Sequence, residues 1–76
     1  MNNTMIALPI LSVDFTNWKG NRRRRRLIPV ELWFGSTNWH PKPQYLMKCM
    51  DVDDNNAVKD FPLALFHMDT AKLERV

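Results

Sequence analysis

Arginine is the residue whose chemistry this chain concentrates. Arg22 to Arg26 stand consecutively, and a guanidinium is permanently charged, weakly hydrated and shaped to meet a phosphate or carboxylate through two parallel hydrogen bonds. Around them, the segment from Gly20 to Gln44, GNRRRRRLIPVELWFGSTNWHPKPQ, joins the charges to an apolar run and a Trp-His-Pro loop, and holds two of the three tryptophans. An exposed indole is a flat surface on which a nucleobase stacks. Arg23, Arg24, Arg25 and Arg26, with Trp18 and Trp39, therefore form the candidate set for a phosphate-rich ligand. The simpler alternative for the run is a solvated hairpin stem that guards a sheet edge. For Trp33 the simpler role is core, whereas Trp18, beside a turn and the arginines, is the best placed for stacking.

The remaining reactive side chains give no catalytic constellation. His40 could transfer a proton near neutral pH, but only Ser36 and Thr37 precede it closely and no carboxylate is placed to orient it, so a loop histidine bonded to backbone, at the rim of the binding set, is the better reading. His67 is weaker still. Asp51, Asp53 and Asp54 alternate as calcium ligands might, yet the glycine and terminal glutamate of a calcium loop are missing, and they read as turn residues. Cys49 lies in an apolar alternation, where a thiol is buried and inert, and Lys48 beside it points to the opposite face. No catalytic residue, metal site or cofactor is expected.

Size and composition agree with a binding module. At 76 residues the chain is one domain with a small core, near the limit for independent folding. Hydrophobic residues at 45% and charged residues at 25% are ordinary for a folded soluble protein. The net charge is only +3, from eleven Lys plus Arg and eight Asp plus Glu, but six of the eight acids follow Glu31 while five cations sit together. Such local asymmetry favours phosphate-bearing partners or an acidic protein surface. A single cysteine excludes an internal disulfide and a multi-cysteine zinc site. The first residues lack a basic leader and are broken by Pro9, no stretch is long and apolar enough to span a bilayer, and a cytoplasmic setting without a membrane is expected.

Alternation places these residues on strands. Met1 to Thr4 are polar and read as unanchored. Ile6, Leu8 and Ile10 share one parity and Leu11, Val13 and Phe15 the other, so the pattern switches near Pro9 or Ser12 and a strand is predicted over Ile10 to Thr16. Asn17 to Asn21 reads as a hairpin loop. The returning strand, Arg22 to Phe34, puts Arg23, Arg25, Leu27 and Pro29 on one face and Arg24, Arg26, Ile28 and Val30 on the other, and Pro29 predicts an edge or a break. Gly35 to Pro43 is a loop, Gln44 to Val52 a strand, and Asp53 to Asn56 a turn. Ala57 to Phe66 returns as a strand in which Pro62 disfavours a central position. The tail from His67 to Val76, with Asp69 or Thr70 as a cap, predicts one helical turn. Short strands and tight turns without a long helical pattern give an all-β fold, a small antiparallel barrel of four to five strands spanning about residues 10–66.

The order of motifs resembles that of a WYL domain, the Sm-like or SH3-like β-barrel found mainly in bacterial transcription regulators and phage-defence control. An apolar strand with Val13 and Phe15 leads to the Gly20 turn, then to Arg25, Leu27 and Pro29, then to Tyr45-Leu46, and closes on Lys59-Asp60-Phe61 with Leu63. Gln44 stands where the family's tryptophan would be, Lys59 replaces an arginine, Leu65 lies where a second arginine is common, and the Trp-His-Pro-Lys-Pro loop resembles an insertion. The resemblance implies a nucleic-acid or nucleotide ligand contacted by Arg25 and Tyr45, with Lys59 carried over as a charge. A family member standing without the usual helical DNA-binding domain implies an accessory, mobile-element or phage context.

Together these features give the expectation of a non-catalytic binding module for nucleic acid or a nucleotide. The alternative is a small phage or mobile-element protein that inhibits a host defence protein through the same Arg and Trp surface, since those residues also dominate protein interfaces. A homodimer would add buried area to so small a domain.

Overall fold

The computed structural model describes residues 9–75; the expectations for Met1 to Thr4 and the lead-in to Leu8 fall outside them. The chain is all-β, with five antiparallel strands: β1 (Ile10–Thr16), β2 (Arg22–Gly35), β3 (Gln44–Asp51), β4 (Ala57–Pro62) and β5 (Phe66–Glu74). They form one sheet in the order β4-β3-β2-β1-β5. Single turns of 3₁₀-helix, Val52–Asp54 and Leu63–Leu65, join β3 to β4 and β4 to β5. No helix among the described residues is long and apolar enough to cross a membrane.

The connection from β4 to β5 dictates the sheet's shape. In a flat sheet the two edge strands would lie about 19 Å apart, whereas a three-residue 3₁₀ turn advances only about 6 Å. The sheet must therefore curl until its edges meet, and three phenylalanines fill the seam. Phe15 packs edge-on against Phe61 and Phe66 at centroid separations of 5.1 and 5.0 Å, with Phe61 and Phe66 5.9 Å apart. The core continues from them through Leu11, Val13, Leu27 and Cys49. The expected barrel is thus realised as a curled sheet: the strand order is open between β4 and β5, and side chains rather than ladder hydrogen bonds join its edges.

Of the two readings of Pro29, an edge or a break, the structure has the break: β2 is the central strand, and Pro29 sits at a bulge, where the β2–β3 register slips between Pro29 and Glu31 and leaves Val30 extra. A bulge is where the missing proline N–H is tolerated. Two other local expectations are corrected. The strand expected over Ala57 to Phe66 stops at Pro62. The tail expected as a helical turn is β5 instead, paired antiparallel with β1 on both sides of a bulge, because the free edge of β1 offers the tail ladder partners that one isolated helical turn cannot match.

The aromatic seam gives a direct test. Replacing Phe61 by Leu removes both of its ring pairings and should lower stability by about 1–2 kcal/mol, read as a lower urea midpoint at unchanged slope. An unchanged midpoint would show that the seam is held by something else.

Candidate functional site: a tryptophan-flanked cleft over a buried ion triad

Strand alternation divides the five arginines between the two faces of the sheet. Arg23 and Arg25 stand opposite Phe15 and Val13 on the core-bearing face, and Arg22, Arg24 and Arg26 stand opposite Thr16, Asp14 and Ser12 on the other. The second group is engaged by the protein itself. Arg22 Nε lies 3.0 Å and Arg24 Nε 3.5 Å from the carboxylate of Asp14, and Arg26 reaches Asp53 at 3.1 Å and Glu74 at 3.3 Å. These two carboxylates hydrogen-bond the Arg26 guanidinium and raise its pKa further.

Arg24 has a structural task as well. Between Ser12 and Asp14 the β1–β5 register slips, so that Met68 to Ala71 bulge opposite Val13. Arg24 donates from both terminal nitrogens, each at 3.0 Å, to the Thr70 carbonyl in that bulge, and from Nη1 to Ser12 Oγ at 3.1 Å. The arginines thus divide between the two faces as their alternation predicts, with a paired ladder on one face and Arg23 and Arg25 turned the other way. Among the described residues Arg23 makes no salt bridge.

On the core-bearing side the elements converge on a cleft of about 460 Å³. Phe15, Asn17 and Trp18 line it from the β1–β2 turn, Thr37, Trp39 and His40 from the β2–β3 loop, Val58 to Phe61 from β4, and Arg25 from β2. Five of the expected binding residues, Trp18, Arg25, Trp39, His40 and Lys59, are therefore brought together, although they span four segments of the chain. Tyr45 is not among the lining residues. It lies half-exposed at the loop end of the β2–β3 hairpin, paired with Phe34 next to the Gly35–Gln44 root of the Trp39 loop, its ring edge-on to Phe34 at 5.1 Å.

The two tryptophans are held outward by tight turns. Asn17 Oδ1 accepts the N–H groups of Lys19 and Asn21, both at 2.9 Å, and Gly20 takes the positive φ of 84° that this turn needs. Trp18 stands 75% exposed at its tip, with Lys19 Nζ 5.2 Å from the ring centre. In the other loop Thr37 and His40 exchange backbone hydrogen bonds of 2.9 and 3.1 Å, and the Thr37 hydroxyl also accepts from His40 N–H. Trp39 is pushed out between them and is 84% exposed.

Trp33 does not join them. It is half-buried and donates from Nε1 to Asp60 Oδ1 at 2.9 Å. Its ring leans over Gly35, where a Cβ would lie only 2.5 Å from it, so glycine is required at the root of the Trp39 loop.

An ion triad forms the cleft's floor. Asp51, 2% exposed, accepts on Oδ2 from Arg25 Nη1 and from Lys59 Nζ, both at 3.0 Å. Its other oxygen caps the Val52–Asp54 turn by accepting from Asp53 N–H at 3.2 Å. The ladders explain the meeting. Leu27 pairs with Asp51 and Cys49 with Lys59, which sets Arg25 and Lys59 diagonal to the same carboxylate, within reach of long side chains. Burial works against the charged carboxylate, but the Lys59 hydrogen bond, the charges of Lys59 and Arg25 and the Asp53 N–H outweigh it and hold Asp51 below its ordinary pKa. Burial likewise opposes the Lys59 charge, and Asp54 and Asp51 together raise its pKa. Arg25 lies over the Phe61 ring, 5.7 Å from its centre, and its buried Nε has no hydrogen-bond partner.

The reading of Asp51 as a turn residue missed this role. The signal was present in part: Asp51 shares the parity of Cys49, two residues before it, and both are buried at that end of β3.

Two measurements follow from these environments. Because Asp51 is depressed when folded, the triad contributes fully above about pH 4, the ordinary aspartate value, and that contribution is lost as pH falls through the folded value. A side-chain carboxyl titration should place Asp51 below the ordinary value, with thermal stability falling over the same acid range; a midpoint above it would overturn the triad. Cys49, whose thiol is pushed up to about 12 by burial first and then by Asp60 and Asp51, should resist thiol reagents at pH 8 in the folded protein and react on unfolding.

No family model matches this chain, no curated protein matches it in sequence and no solved structure matches it in fold.

Proposed function

We propose that this protein is a non-catalytic binding module for a phosphate-rich ligand with a flat ring, a nucleotide or a short stretch of single-stranded nucleic acid. The observation that carries this reading is the pair of tryptophans, 75% and 84% exposed, on two loops that bracket a cleft containing Arg25 and Lys59. Indole rings lose little entropy when a base stacks on them, and they stack on any base. Nearby cations then meet the phosphate. Arg23, on the same sheet face as Phe15 and Arg25, and Lys19, beside Trp18, supply rim charge, while Arg25 and Lys59 supply it at the floor. His40 adds a ring nitrogen at the cleft's wall. The WYL resemblance implies the same ligand class through Arg25 and Tyr45 with Lys59 as a charge, and of these Arg25 and Lys59 line the cleft whereas Tyr45 does not.

A second reading, an interaction protein that occupies a host partner or a second copy of itself, draws on a different surface. Leu32, Phe34 and Tyr45, none of which lines the cleft, are all more than half exposed toward the loop end of the β2–β3 hairpin, and such apolar patches are typical of protein contacts.

Fluorescence anisotropy with a labelled oligothymidylate and a nucleotide panel at two salt concentrations distinguishes the two. Saturable binding should weaken about 5- to 100-fold on Trp18→Ala or Trp39→Ala. Arg23→Ala should weaken it evenly across sequences and reduce the salt slope by about one. A folded sample that binds none of these probes at low salt sinks the nucleic-acid reading.

A further inference from the structure

Lys59 faces two carboxylates of opposite character. Asp51 is almost completely buried, its side chain 3% exposed, and also holds Arg25, whereas Asp54 lies in the open turn with its side chain 60% exposed. The shorter contact is the exposed one: Lys59 Nζ stands 2.7 Å from Asp54 Oδ2 and 3.0 Å from Asp51 Oδ2. Asp51 is fixed by the cap it makes on the Val52–Asp54 turn and by Arg25. Asp54 makes no other salt bridge among the described residues, and the residue after it, Asn55, takes a left-handed conformation with φ 53° that ends the turn. One side of Lys59 is thus anchored while the other is closed by a solvent-facing anion.

We infer that Asp54 is a built-in competitor for the ligand's anionic group, holding Lys59 in the empty cleft and giving it up when a phosphate arrives. The inference rests on the binding reading above and deepens it by naming what the ligand must displace. An exposed pair of this kind is held only weakly. A phosphate that adds contacts to Arg23 or to the tryptophans exceeds this hold, whereas a lone small anion does not. Asp54 thereby selects ligands that carry both a ring and a phosphate. Asp51, fixed and buried, keeps the Lys59 stem aimed at the cleft throughout.

The test compares three proteins with the same oligothymidylate probe. Asp54→Asn should tighten binding about two- to five-fold and steepen the salt slope, because one more protein cation is free to release counterions. Asp53→Asn removes the same charge from the same turn, but its partner is Arg26 on the opposite face, so it serves as the control for a general loss of negative charge and should change affinity less. In a Lys59→Gln background the gain from Asp54→Asn should vanish, since the two side chains then no longer interact. Asp54 and Asp53 are exposed, so both single variants should fold.

Probe binding by the unaltered protein, with Asp54→Asn no tighter than Asp53→Asn, overturns this inference and leaves the binding reading standing. A gain that persists without Lys59 overturns it too. Absence of binding by the unaltered protein and by Asp54→Asn alike overturns both.

Discussion

A carboxylate buried to 2% exposure is tolerated only when its charge is met on the spot, because the cost of taking an ion out of water is several kcal/mol. Asp51 is met by cations from two other strands, Arg25 of β2 and Lys59 of β4, and by the backbone of its own turn. The constraint runs in both directions. Asp51 cannot be buried unless β2, β3 and β4 keep their register, and a one-residue slip on either side would turn Arg25 or Lys59 to the opposite face. Removing a single member strands the others, so the triad is better understood as a device that selects one alignment than as a source of net stability.

That alignment also shapes the sheet. With Arg25 over the Phe61 ring and Lys59 two residues before Phe61 on the same strand, the triad lies beside the aromatic seam where β4 meets the end of β1. Charge and aromatic packing meet at one place because the sheet curls there, and the curl is forced by the three residues that carry the chain from one edge to the other. The cleft opens along this same seam. Four consecutive residues of the edge strand β4, Val58 to Phe61, line it.

Much of this was legible in the sequence because it depends on period-two alternation. The strands over Ile10 to Thr16 and Gln44 onward, the split of the arginines between two faces, and the buried Cys49 all follow from parity, which needs no knowledge of the rest of the chain. What parity cannot report is a partner distant in sequence. The tail from His67 looked helical because Asp69 and Thr70 make a good local cap; the edge of β1, more than fifty residues earlier, decided otherwise. Pro29 signalled an edge or a break because proline usually avoids central strands, and which of the two it marks depends on the neighbours that β2 finds on both sides. Asp51 looked like a turn residue and is one, but its pairing with Arg25 and Lys59 arises only once two ladders are in register.

The same parity explains why five identical residues do not form one surface. In a strand a run of arginines must alternate faces, so what reads as a single basic ridge is two sets with different neighbours. Arg22, Arg24 and Arg26 meet Asp14, Asp53, Glu74 and the Thr70 carbonyl, and Arg24 fills the hydrogen bonds that the β5 bulge would otherwise leave open. These three tie β2 to β1, β5 and the Val52–Asp54 turn, and their charges are spent within the fold. Arg25 is likewise matched, by Asp51. The cleft's floor is therefore close to neutral while it is empty, which separates it from a simple polycation groove. On the proposed binding reading, attraction for a polyanion at a distance falls to Arg23 and Lys19, and holding it to ring stacking at Trp18 and Trp39. Such pairing within the fold fits a chain with five arginines in a row and an excess of only three positive charges.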